Sequence, residues 1–173
     1  MQSSLKVEHP DSLSEPRQYL TFSLAGEQFA VGTLTVKEII EYGQVTSVPM
    51  MGPSIRGVIN LRGAVVPVID LSARFGGRQT EVGRRTCIVI LEVDHVDEQQ
   101  VIGVLVDAVN EVLEIAPADI EPAPAFGAHI RTDFILGMGK VEGRFVILLD
   151  IGKVLSVDEL AALTQITETA PGE

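Results

Sequence analysis

The sequence predicts an all-β protein made of two copies of one small unit, and three features carry that prediction. Apolar stretches of four to eight residues, rich in Val, Ile and Leu, alternate with Gly, Pro and Asp, the punctuation of many short strands. Glycine-containing breaks join neighbouring stretches as hairpins. Laid upon itself, the chain repeats.

In chain order, residues 1–18 are polar, hold two prolines and lack an apolar period, and the last residues, 167–173, are similar; both ends are expected to be tails. Residues 19–24 and 28–32 flank Ala25-Gly26-Glu27, a short loop returning the chain as a hairpin. A second hairpin joins 58–61 to 65–69 through Arg62-Gly63, where glycine supplies a positive φ. Pro67 has no N–H for a ladder, so it predicts an edge or a bulge in the returning strand. Residues 71–75 and 151–155 each follow an aspartate, Asp70 or Asp150, able to cap a short helical turn. Ser156 or Asp158 could cap the amphipathic segment VDELAALTQI.

The repeat has two offsets. At 80, GVINLRGAVVPVIDLSARF (57–75) lies over GMGKVEGRFVILLDIGKVL (137–155), matching Gly57 with Gly137, Gly63 with Gly143 and Asp70 with Asp150. At 73, QFAVGTLTVKEII (28–40) lies over VIGVLVDAVNEVL (101–113), matching Val31 with Val104, Val36 with Val109 and Glu38 with Glu111, and carrying Pro49 onto Pro122. The seven-residue difference implies an insertion between Pro122 and Gly137, containing Phe126, Gly127, His129 and Arg131, expected as a surface loop. Units of about 70–80 residues are too small to be very stable alone, so the two are expected to pack together, leaving a groove at their junction. Short strands with Gly-rich turns suggest small barrels that suppress free sheet edges.

Composition narrows the function. Of 173 residues 46% are apolar and 21% charged, which suits a buried core rather than disorder. Thirteen basic against 24 acidic residues give a net charge of −11, which repels a phosphate backbone, so no nucleic-acid partner is expected. A single cysteine, Cys87, excludes an intrachain disulfide, and His9, His95 and His129 lack any metal-ligand spacing; no metal or cofactor is expected. The N-terminus lacks a signal peptide's apolar core, and the longest apolar runs, 64–69 and 145–149, fall far short of the roughly 20 residues that span a bilayer. A cytosolic protein without membrane insertion is expected.

Catalytic readings are weak. Asp70 and Asp150 invite comparison with a shared carboxylate dyad, but such a pair needs small, hydrogen-bonding neighbours to approach to about 3 Å; here Leu71 and Ile151 follow. Helix capping is the simpler role. There is no GxSxG elbow, and GMGKVEG (137–143) reads as hairpin turns rather than a phosphate cradle. Cys87 opens an apolar strand as a buried thiol. What distinguishes the copies is charge at the hairpin turn: Arg62 in the first, Glu142 in the second. Alternation puts Asn60 and Arg62 opposite Ile59 and Leu61, presenting donors around the turn. A solvated turn arginine, and a Glu38 on the solvent side of an amphipathic stretch, are the plain readings.

NLRG followed by VVPVIDL, with VKEII upstream and GVLVDAVNEVL downstream, resembles the CheW family of bacterial chemotaxis coupling proteins. The similarity runs from about residue 19 to 163 and takes in YLTFSLAGEQFAV, VTSVP, IEPAPAF and ILGMGKVEGRFVILLDIGKVL in family order. It implies two intertwined SH3-like five-stranded β-barrel subdomains in a pseudo-twofold arrangement, with short helices and a C-terminal helix. Subdomain 1 would cover about 19–85, subdomain 2 about 86–155 and the helical segment 156–166. It also implies a non-catalytic adaptor, cytoplasmic but recruited to membrane-associated arrays, linking the cytoplasmic tip of methyl-accepting chemoreceptors to the regulatory domain of the histidine kinase CheA.

Carried over by position, receptor binding would fall to Val36, Glu38, Ile39, Gly57, Val58, Asn60, Arg62, Gly63 and Val109, in the groove between subdomains. Kinase binding would fall to exposed apolar positions at Ile40, Tyr42 and Val45. An apolar groove with a few polar anchors suits an amphipathic helix, and Arg62, a forked cation, could pair with a receptor carboxylate. Met50-Met51-Gly52-Pro53 departs from the commonest family wording, so the loop entering the second hairpin is expected to differ. An adaptor of a parallel pathway, such as type IV pilus control, is the alternative, with a small hydrolase far behind. A receiver-fused relative is not expected, since only a ten-residue, mostly polar tail follows Leu163.

Overall fold

The computed structural model describes residues 16–49, 52, 54–75, 77–95, 98–122 and 134–154. The expected loop around Phe126, His129 and Arg131, the segment 156–166, most of both tails, and Met50, Met51 and Pro53 lie outside these residues. Eleven strands are described: β1 (Arg17–Leu24), β2 (Glu27–Gly32), β3 (Val36–Glu41), β4 (Ile55–Leu61), β5 (Ala64–Asp70), β6 (Cys87–His95), β7 (Glu98–Val106), β8 (Ala108–Ile115), β9 (Ile120–Glu121), β10 (Ile135–Val141) and β11 (Arg144–Leu149). Two one-turn helices, α1 (Leu71–Arg74) and α2 (Ile151–Val154), follow β5 and β11. β1 starts at Arg17, within the stretch 1–18 that the sequence reading set apart.

Three hairpins share one turn. Ala25-Gly26, Arg62-Gly63 and Glu142-Gly143 all have positive φ at both positions (50° and 84°, 52° and 91°, 51° and 80°), the two-residue connection whose twist matches that of the strands. The first loop therefore has two residues, with Glu27 already paired to Leu24, rather than the three expected.

The strands form a five-stranded sheet, ordered β3-β6-β7-β5-β4, and a six-stranded one, ordered β8-β1-β2-β11-β10-β9. Under the repeat, β8, β1, β2, β11 and β10 correspond to β3, β6, β7, β5 and β4, so the two orders are the same, and β9, paired with Met138, stands where Thr46 bridges to Val58 in the other sheet. Each sheet has one parallel pair, β5 with β7 and β11 with β2, where a hairpin from one repeat docks on strands of the other. The boundary expected at 85/86 falls inside the five-stranded sheet, between β5 and β6.

Pro67 is not at an edge, because β5 lies between β4 and β7. Its partner Val58 directs N–H and C=O toward Thr46, each bond 2.8 Å, so Val58 and Pro67 form a non-hydrogen-bonded pair. The proline nitrogen then faces β7, whose ladder with β5 begins one residue later, at Val68. The antiparallel ladder with β4 therefore needs no N–H at Pro67.

Three cores explain why the apolar runs are continuous rather than alternating. Along β6, Val89, Leu91 and Val93 enter the large cluster between the sheets, while Ile88 and Ile90 enter a smaller one with Ile59, Val66, Val68 and Leu105. Along β11, Ile147 and Leu149 join the central cluster, and Val146 and Leu148 join a third with Tyr19, Ala30 and Ile115. Successive side chains thus bury on opposite faces. Each curled sheet has its own interior, and both share the seam.

Candidate functional site

β3 and β4 are the two edges of the five-stranded sheet, yet they follow one another in sequence. Past β3, the Tyr42 amide still bonds to Thr86 beside β6 (3.3 Å), and four residues on Thr46 bridges to Val58 in β4. The connecting chain therefore joins the edges and curls the sheet closed. Gly57 is required there: a Cβ would stand 2.2 Å from the Thr46 carbonyl oxygen. Its counterpart Gly137 sits under Ile120 and Glu121, where a Cβ would stand 2.6 Å from Ile120 Cγ2. Both glycines lie at register shifts, between 55 and 57 in β4 and between 135 and 137 in β10.

Across the closure Arg62, in the β4–β5 turn, meets Glu38 of β3. Both guanidinium Nη atoms donate to the Glu38 carboxylate, one of them at 3.4 Å. A bulge between Val36 and Glu38 aligns Glu38 with Ile90, on the side of the inner core, which turns its carboxylate toward the facing edge. The hydrogen bond from Arg62 holds the Glu38 carboxyl below its ordinary pKa, aided by the charges of Arg62 and Lys37 and opposed by partial desolvation. The same hydrogen bond and charge raise that of Arg62. The Arg62 side chain remains 70% exposed. Its partner within the fold is thus a carboxylate of its own chain. Asn60 serves the same turn: its Oδ1 accepts from the Gly63 amide at 2.8 Å.

The apolar positions divide into two groups. Val36, Val58 and Val109, each half-buried, pack at the margin of the central cluster, so residues from both repeats border the seam. Ile39 is 42% exposed and pairs with Val89. Ile40, Tyr42 and Val45, expected to be exposed, instead lie half-buried against the inner core of the five-stranded sheet. The curl places the chain after β3 over that core, and the Arg56 guanidinium stands 6.0 Å from the Tyr42 ring.

Sequence reasoning missed a buried network. Asp70, wholly buried, caps α1 through the Ala73 amide (3.3 Å) and also accepts from the Thr80 amide (2.7 Å), the Thr80 hydroxyl (2.9 Å) and Arg56 Nη1 (3.1 Å). Capping was legible from Asp before a helical turn; the reach of Thr80 across ten residues was not. Leu34, in the 3₁₀ turn between β2 and β3, is 98% exposed. Among the described residues no cluster of His, Cys, Asp or Glu is arranged to hold a metal ion, and no helix is long and apolar enough to cross a membrane.

The family model of the CheW-like domain matches residues 18–159. The chemotaxis protein CheW of Klebsiella aerogenes is 35% identical over 153 residues, 88% of this chain and 90% of the relative. That of Rhizobium meliloti is 34% identical over 146 residues, 84% and 92%. The crystal structure of the scaffolding protein TtCheW from Thermoanaerobacter tengcongensis superposes with a TM-score of 0.74 at 33% identity, covering 83% of this chain and 90% of that one.

Proposed function

We propose, from the premise that this chain belongs to the CheW family, that it is a chemotaxis adaptor coupling the cytoplasmic tip of methyl-accepting chemoreceptors to the histidine kinase CheA, without turnover. The observation that carries the reading is the meeting of Glu38 and Arg62 beside a seam bordered by Val36, Val58 and Val109. Residues far apart in sequence give an apolar margin with a charged, exposed anchor, the form that holds an amphipathic helix. Extended similarity to proteins named for chemotaxis, and to one described as a scaffold, supports the same role.

The receptor-facing set is Val36, Glu38, Ile39, Gly57, Val58, Asn60, Arg62, Gly63 and Val109. Gly57, Asn60 and Gly63 act in it by shaping backbone, since Gly57 abuts Thr46 and Asn60 holds the turn. The kinase-facing set, Ile40, Tyr42 and Val45, presents the outer side of half-buried residues. The test is co-sedimentation with receptor-containing membranes and CheA, followed by kinase autophosphorylation. The expected result is a ternary pellet and receptor control of the kinase that disappears when this protein is left out. Receptor control of equal strength without the protein refutes the proposal.

A further inference from the structure

Among the described residues the chain passes between the two sheets at two places: the 3₁₀ turn Thr33–Thr35 between β2 and β3, and Asp107 alone between β7 and β8. Under the repeat these crossings coincide, Leu34 with Asp107 and, two residues on, Val36 with Val109. They are not built alike. The first is stitched from within, Thr35 Oγ1 donating to the Gly32 carbonyl at 2.8 Å and the Val36 amide to the Thr33 carbonyl, and Leu34 stands in solvent. Asp107 is half-buried and commits both its groups to the β1–β2 hairpin. Its amide donates to the Ser23 carbonyl at 3.0 Å, and its Oδ2 accepts from the Ala25 amide at 2.8 Å. A one-residue joint has two soft dihedrals, and this pair of bonds holds them.

The ladder beyond the joint gives little help. β8 pairs with β1 at Ala108–Ser23 and Val109–Phe22, then a bulge shifts the register and pairing resumes at Val112–Leu20. Side chains bridge the gap: the buried Thr21 hydroxyl donates to the Glu111 carbonyl at 2.9 Å and accepts from the Glu111 amide at 3.1 Å. Val109 is thus bracketed, by Asp107 before it and by Thr21 opposite the bulge after it. Every proposed receptor contact except Val109 belongs to the five-stranded sheet or its β4–β5 turn. The place of Val109 relative to Val36 and Val58 is therefore decided at this joint.

We propose that Asp107 is a positioning residue for the seam: by tying the joint to the β1–β2 hairpin, it holds Val109 at the margin of the central cluster that Val36 and Val58 share. The acceptor matters rather than the charge, since the group it receives is a neutral backbone amide. For its partner, an amphipathic receptor helix, the inference rests on the proposed adaptor role.

The test measures methyl relaxation on the valine-labelled full chain, and titration with a receptor-tip fragment, for the unmodified protein, Asp107→Asn and Asp107→Ala. Asp107→Asn keeps an acceptor for the Ala25 amide and should match the unmodified protein in both. Asp107→Ala should lower the order of the Val109 methyl axes while leaving those of Val146, in the inner core of the six-stranded sheet, as they were. It should also weaken fragment binding about fivefold, the scale of one hydrogen bond, and weaken it no further in a Val109→Ala background. Should Asp107→Ala fold poorly, Asp107→Ser, whose hydroxyl falls short of the Ala25 amide, takes its place. Unchanged Val109 order overturns the proposal. So do equal losses from the asparagine and alanine variants, or a loss that persists in full without the Val109 side chain, since either marks a general structural effect. Absence of binding by the unmodified chain is instead the failure of the adaptor role, and the Val109 methyl order then decides the role of Asp107 by itself.

Discussion

Asp70→Ala and Asp150→Ala remove corresponding side chains from the two repeats, and the surroundings predict unequal losses. Asp70 is wholly buried and accepts four hydrogen bonds, one from a guanidinium whose side chain is only 21% exposed. Breaking a buried ion pair by removing one partner costs about 3–5 kcal/mol. Arg56 keeps some solvent and its bond to the Thr80 carbonyl, which favours the lower end, whereas the stranded amide of buried Thr80 adds its own penalty. These terms share one network and do not sum, so about 3–4 kcal/mol is expected, a third or more of a typical domain's stability. Asp150 is half-buried and precedes a single helical turn, so its loss should cost at most about 1 kcal/mol. Asp70→Asn keeps acceptors but loses the charge and should fall between. Urea unfolding of the variants in parallel measures the differences, provided the slope is unchanged. Equal losses for the two alanine variants, or a loss under about 1 kcal/mol for Asp70→Ala, would refute the argument from enclosure.

In an NMR titration the Glu38 carboxylate should turn over below the ordinary 4.5, and Arg62→Ala should raise the midpoint. Because the folded-state pKa is depressed, the pair's contribution is present above pH 4.5 and is lost as pH falls through the lower folded value; a midpoint indifferent to Arg62→Ala contradicts the pairing. Arg62→Ala should leave urea unfolding nearly unchanged, since the pair is exposed, while weakening binding of a receptor-tip fragment about tenfold in a titration; equal affinity removes the residue from the site. Gly57→Ala should cost about 2 kcal/mol or more in thermal unfolding, because its Cβ collides with Thr46 backbone, and a stable variant would mean the closure yields easily. Glu142→Asn should stabilise by about 0.5–1 kcal/mol, as asparagine tolerates the left-handed φ of 51° better; destabilisation would point to an unseen role for the carboxylate.

Strands, hairpins and the repeat were legible because each has a local cause. Glycine takes positive φ at the turns, apolar runs bury two faces, and matched glycines at 57 and 137 mark the same close approach in both units. The exchange of hairpins between sheets was not legible, since strand partners are chosen by long-range packing rather than by neighbours in sequence. Pro67 shows the limit of a residue rule: its nitrogen faces away from β4 and just short of the ladder with β7, so the strand keeps an interior place. At the candidate site Glu38 and Arg62 were both singled out, but their meeting depends on sheet curvature, which periodicity does not encode. The same curvature half-buries Ile40, Tyr42 and Val45, which a flat strand would have left in solvent.

Because each sheet borrows a hairpin, the molecule has an unusual map of safe places to cut. Severing it near 85 would leave two fragments, each holding part of both sheets and neither able to finish one alone; such halves should regain structure only when mixed. A piece spanning 36–106 is different, for it owns every strand of one sheet, lacking only a cover for the greasy side it normally turns toward its sibling. Swapping genetic segments between relatives would therefore respect the architecture at about 35 and 107, not at the midpoint of the chain.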